Sequence, residues 1–154
     1  MPSLQEQAIK MTREGIDMLF RTAKFVPEDK RTDWVPMGAA RTTQDQLIEI
    51  ALSPYFFVPL LKGEPLDPGA SADREAAAAA LTTLEAAEAK ALESHELLYA
   101  AIAGMTESEM SEELTLPWGK ATKADTMLMP YWNVVYHIGQ ISYIQLMLGD
   151  TDMH

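Results

Sequence analysis

Few side chains in this sequence can do chemistry. It has three histidines and no cysteine, which excludes thiolate nucleophiles, disulfides and thiolate zinc sites and leaves His, Asp, Glu or Asn to hold any metal. His137 lies in the stretch WNVVYHIGQISYIQLMLGD, residues 132–150, inside an apolar pattern of helical period. Asn133 stands four residues earlier, so both side chains share one helix face, and Gln140 and Ile144 continue that line. Two helical residues at this spacing can share one metal ion, although an amide oxygen is a poor ligand beside an imidazole. The alternative for His137 is a core histidine satisfied by a single hydrogen bond. Glu49, flanked by Leu47, Ile48, Ile50 and Leu52, either faces inward, where a buried carboxylate needs a partner, or lies on an ordinary outer face. His95, between Glu93 and Glu96, reads as a surface histidine, and His154 is terminal and uninformative.

The elements that must position these residues are helical. Residues 3–24 place Leu4, Ala8, Met11, Gly15, Met18 and Leu19 at spacings of three and four, the period of an amphipathic helix. A connection with two prolines follows, with Trp34 as the expected anchor on the domain. A capping box, Thr42 with Asp45, opens helix two, and Pro54 and Pro59 predict a kink or early end near residue 54. After a second Gly- and Pro-containing connection, residues 74–104 form an alanine-rich segment without an internal breaker, which predicts one long helix packed through Leu81, Leu84, Leu92 and Leu98. Thr106 with Glu109 opens a short turn or helix, TLPWGKATKAD reads as a loop, and the last helix runs from near Thr122 and Asp125 to Gly149. Met18, Met127, Met129 and Met147 fall in apolar helical stretches and read as core fillers. With no convincing strand pattern and no internal repeat, the expected fold is all-α: a four-helix bundle in one domain, residues 1–154, with long connections.

Composition narrows the partners. A net charge of −11 repels a phosphate backbone, and no basic helix or Lys/Arg cluster offsets it, so nucleic acid is not an expected partner. No apolar run approaches the roughly 18 residues of a membrane span, and the opening residues do not read as a signal peptide. The expected compartment is the cytoplasm, with no membrane partner.

Three segments in order, VPEDKRTDWVPMGAARTTQDQLIEIA at 26–51, LTLPWGKATKADTMLMPYW at 114–132 and NVVYHIGQI at 133–141, resemble the DinB-like superfamily of four-helix bundles, which includes thiol-dependent S-transferases. The last segment is similar to that family's H-x-x-x-H-x-G-Q-I signature. The resemblance implies a site in which three histidines, one from helix two and two from the signature, hold a divalent metal. By position these fall on Glu49, Asn133 and His137, so one histidine of three is kept. The metal this set implies is one divalent ion, Ni, Zn, Mn, Fe or Mg, or none. Gly139 of the signature predicts close approach of another backbone, Gln140 a hydrogen bond to a neighbouring helix or loop, and Trp118 a loop packed against the open end of the bundle. An aromatic-walled cleft would draw on Trp118, Tyr131 and Tyr136.

Two functional classes follow. In one, the protein is a metal-dependent transferase or hydrolase with a degenerate Glu/Asn/His site, acting on a small molecule or low-molecular-weight thiol, in which the metal creates a nucleophile at neutral pH. In the other it is a metal-free, dimeric small-molecule-binding or stress-associated bundle, with Glu49 and His137 as a buried hydrogen-bonded ion pair. The family habit of pairing through helix faces implies a homodimer in either case.

Overall fold

The structure is a computed structural model. It describes the backbone of residues 1–64, 70–116, 118–152 and 154, and the side chains of these apart from 70–72. In chain order the elements are α1 (Leu4–Ala23), α2 (Glu28–Arg31), α3 (Thr43–Leu52), α4 (Pro54–Lys62), α5 (Ala70–Ala80), α6 (Leu84–Ala103), α7 (Glu107–Met110), β1 (Glu113–Leu116), β2 (Gly119–Thr122), α8 (Lys123–Thr126) and α9 (Met129–Met147). Four principal units, α1, the kinked α3–α4 pair, α6 and α9, pack side by side, as the all-α bundle expectation requires: α1 lies against α9 and α6, α3 and α4 lie against α6, and α3 also meets α9.

Four helix starts have a shared local cause. Ser3, Thr42, Thr106 and Thr122 accept from the amide three residues on, and Glu6, Asp45, Glu109 and Asp125 return the bond to the cap's own amide. Each such cap is worth about 1 kcal/mol. Pro54 ends α3 as expected and Pro59 is carried inside α4. The carbonyl of Ile50, which Pro54 cannot serve, accepts from the Ser53 hydroxyl at 3.0 Å, and Ser94 on α6 donates to the neighbouring Ala51 carbonyl at 2.7 Å. The kink is thereby tied to the helix opposite.

The core joins Ile16, Leu19 and Phe20 of α1 with Leu47 and Ile50 of α3, Leu84 and Ala87 of α6, and Val134 and Ile141 of α9, with Trp34 packed on its edge as anchor. Burying each of the large aliphatic or aromatic side chains is worth about 1.5–3 kcal/mol. α1 and α9 approach at Gly15, where an added Cβ would stand 3.0 Å from Val134 Cγ1. Gly139 has nothing within 4 Å of the corresponding position, so the close approach expected there does not occur within the protomer.

Other expectations are corrected. On α1, Leu4, Met11 and Met18 are exposed; the buried face runs instead through Ala8, Thr12, Gly15, Ile16 and Leu19, and the Thr12 hydroxyl can be buried there because it donates to the Ala8 carbonyl at 2.8 Å. Met147 is likewise exposed whereas Met127 is fully buried. The alanine-rich segment is two helices, and Leu92 is exposed. The break has a chemical anchor: the buried Gln44 amide donates to the carbonyls of Leu81 at 2.8 Å and Thr83 at 3.0 Å, while the Thr83 side chain caps α6. The expected loop around Trp118 contains an antiparallel hairpin pairing Glu113 with Thr122 and Leu116 with Gly119. Among the described residues no helix is long and apolar enough to cross a membrane.

Candidate functional site

α3 and α9 bring Glu49 and His137 together. His137 is 2% exposed, and its Nε2 lies 3.1 Å from Glu49 Oε1. A carboxylate only accepts, so Nε2–H is the donor. On the other side of the ring, Nδ1 is 3.1 Å from Gln46 Oε1 and 3.0 Å from Gln140 Oε1. An imidazolium can donate to these oxygens, and a flipped amide can instead offer NH₂ to a neutral ring, so the surround accommodates either protonation state. Arg41, just before the cap of α3, forms an ion pair with the second Glu49 oxygen and donates from Nη2 to the Asp45 carbonyl at 2.7 Å. These bonds hold the Glu49 carboxyl down at about 2, the His137 bond first, against the opposing effect of burial, with the Arg41 bond adding to it.

Two clefts meet at this pair, and Glu49 and Tyr136 line both. The smaller, about 410 Å³, runs past Arg41, Gln46, His137, Gln140 and Tyr143. The larger, about 590 Å³, has walls of Phe56, Phe57, Trp118 and Trp132, with Asn133 and the exposed Arg74 on its rim. The Tyr136 ring stands edge-on to His137 at 5.4 Å, and Trp118, at the hairpin turn, is 6.3 Å from Phe56. Tyr131, expected in an aromatic wall, instead packs near Gly15 at the α1–α9 contact.

Of the residues singled out in the sequence, Glu49, His137, Gln140 and Tyr136 converge, while Asn133 and Trp118 reach only the larger cleft. Gln140 bonds His137 on its own helix where a bond to a neighbouring element was expected. Sequence reasoning missed Arg41 and Gln46. The signal for Gln46 was its position three residues before Glu49, which sets both on one helix face. His95 was misread: it is 1% exposed, because it sits on the inner face of α6 and its Nδ1 bonds the Ala91 carbonyl at 2.8 Å, four residues back.

As a metal centre the set fits poorly as arranged. A ligating nitrogen needs a free lone pair, whereas Nε2 carries the proton given to Glu49, and Arg41 competes for the same carboxylate. No hydrogen bond joins Asn133 to either residue, and no cluster of three His, Asp or Glu able to hold a metal occurs among the described residues.

Solved structures share this architecture. A DinB-like protein from Bacillus subtilis superposes with a TM-score of 0.66 at 14% identity, covering 96% of each chain. The chain has the DinB-like bundle fold. A mycothiol-dependent maleylpyruvate isomerase matches with a TM-score of 0.67 at 17% identity over 92% of this chain. The present chain spans only 63% of that longer protein. No family model and no curated protein matches by sequence. At these identities the likeness concerns the fold.

Proposed function

We propose that this DinB-like bundle binds a small molecule without a metal, in the clefts that meet at the Glu49–His137 pair. The carrying observation is that both ring nitrogens of His137 are already engaged, one by Glu49 and one by two glutamine amides. The ligand class best supported has an aromatic or apolar body and an anionic group, since the larger cleft combines four aromatic walls with Arg74. Low-molecular-weight thiols of that kind are included, in keeping with the thiol dependence named for the isomerase of the same fold. The same reading takes the protein as a homodimer.

Elemental analysis of protein purified without an affinity tag tests it, with His137→Ala alongside. Well under one equivalent of metal is expected in both; stoichiometric metal that vanishes in the variant sinks the reading. Titration with an aromatic carboxylate is expected to change Trp fluorescence saturably, and less in Trp118→Ala.

A second reading, a metal-dependent transferase or hydrolase, is favoured by one observation: Glu49 and Asn133 border the same cleft, so a cation bound there would meet a carboxylate and an amide oxygen. Under this reading Glu49, Asn133 and His137 would hold the ion, which would lower the pKa of a bound thiol or water. Enhanced thiol-transfer activity on adding Mn²⁺ or Zn²⁺, lost in Glu49→Gln, would favour it.

A further inference from the structure

The two clefts that meet at Glu49 differ in chemistry. The larger is walled by aromatic rings, whereas the smaller is lined by the amides of Gln46 and Gln140 and by apolar side chains, among them Ala39, Ile144 and Met147. Gln46 is only 3% exposed. Its oxygen and that of Gln140 both face His137 Nδ1, at 3.1 and 3.0 Å, so each amide nitrogen is turned away from the ring. Among the described residues neither nitrogen donates a hydrogen bond to the protein. The fully buried side-chain atoms without a partner are Thr43 Oγ1 and His95 Nε2; the Gln46 nitrogen is not one of them, so it opens on the cleft that its side chain lines. A buried amide with unmade donor bonds favours an occupant that supplies an acceptor.

We propose that the two clefts together take one ligand of the N-acyl aromatic amino acid class, with its ring among the aromatic walls and its amide against Gln46 and Gln140. The inference rests on the metal-free binding reading above and names the ligand for that site. An amide is selected over a carboxylate by the two glutamines. With a charged His137 ring both offer N–H donors, and with a neutral ring one flipped amide offers an oxygen instead. A ligand amide carries a carbonyl and an N–H and pairs with either arrangement. A carboxylate pairs only with the first, and it meets the Glu49 carboxylate, which lines the same cleft.

The remaining parts of such a ligand also find partners. Its carboxylate lies at the rim of the larger cleft, where Arg74 stands. The short link from ring to amide passes Glu49 and Tyr136, which border both clefts. Beyond the amide, Ile144 and Met147 follow Gln140 by four and seven residues, one and two helical turns. They extend an apolar track for an acyl chain, with Ala39 and Pro36 also lining the cleft.

Calorimetric titration of the full chain with 3-phenylpropanoate, benzylmalonate, N-acetylphenylalanine and N-hexanoylphenylalanine tests the assignment. N-acetylphenylalanine is expected to bind at least about tenfold more tightly than phenylpropanoate, which lacks the amide, or benzylmalonate, which has a carboxylate in its place. The hexanoyl chain should add about a further tenfold. Gln140→Glu keeps an oxygen for His137 but has no N–H to give, so the advantage of N-acetylphenylalanine over phenylpropanoate should fall below about threefold. In nitrogen-15 spectra the side-chain amide signals of Gln46 and Gln140 should shift with N-acetylphenylalanine and not with phenylpropanoate. Should Gln140→Glu fail to fold, as circular dichroism would show, those wild-type shifts decide. Equal affinity for phenylpropanoate and N-acetylphenylalanine, or benzylmalonate binding as tightly as the amide, overturns this inference and leaves the binding reading standing. No binding of any of the four overturns both.

Discussion

His137 and His95 are almost equally buried, at 2% and 1% exposure, yet they sit in opposite chemical settings. His137 has an oxygen acceptor beside each ring nitrogen and two clefts at its edge. His95 has one satisfied nitrogen, and its Nε2 meets no partner among the described residues. Burial pushes the His95 ring down to about 4, against the smaller opposing effects of the Ala91 bond and the Glu96 charge. One histidine is therefore held by polar side chains from two helices, and the other is held neutral by apolar packing. Burial alone does not identify a site; the partners of the buried group do.

The largest expected effect is on acid stability. A His95 ring at about 4 when folded and 6.5 when unfolded leaves the unfolded chain binding the extra proton between those values. Stability is therefore complete above pH 6.5 and falls by about 3 kcal/mol as pH drops toward 4. Urea titrations across that range should show this slope, and His95→Leu should abolish it while changing stability little at pH 7.5; an unchanged slope would break the contrast.

Next comes the pair itself. His137→Ala leaves Glu49 without its main partner and is expected to cost about 2 kcal/mol at pH 7, below the usual 3–5 for a buried pair because Glu49 keeps Arg41 and some solvent. The Glu49 carboxyl is depressed from 4.5 to about 2, so its contribution is present above pH 4.5 and lost as pH falls toward 2. That window lies mostly below the His95 window, the two overlapping only near pH 4–4.5, and His137→Ala should shrink it; proton-detected titration of the Glu49 carboxyl would show its midpoint rising.

Smaller effects refine the contrast. Ser94→Ala removes the bond to Ala51, one residue from His95, and should cost about 1 kcal/mol in chemical denaturation without altering either pH slope. Arg41→Ala, removing a half-exposed partner, should cost under about 1 kcal/mol and move the Glu49 midpoint up only slightly, as carboxyl titration by NMR would read.

Much of the architecture is legible in the sequence because local rules decide it: Thr42 announces α3 and Pro54 ends it, whereas Thr122, expected to open the last helix, caps only the short α8, and α9 starts anew at Met129. The Glu49–His137 meeting came from resemblance and was supported by the apolar flanks of Glu49. Features set by distant partners were not legible. Nothing local in LTT at 81–83 says that Gln44 will hold two of its carbonyls. Glu93 and Glu96 suggested an exposed His95, but they point outward from a helix that turns His95 in. Arg41 could not be assigned to Glu49 until the turn before α3 was placed.

The Gln44 amide also sets a boundary of cooperativity. Among the described residues, α5 touches the core through partly buried Ala77 and Ala78, while α6 behind the break is anchored by Leu84, Leu98 and Ile102. α5 can therefore open as its own unit at less cost than the whole fold. Since Arg74 rides on α5, such an opening would carry off a cation from the rim of the larger cleft, so that release of an anion bound there and amide exchange in α5 should slow or quicken together.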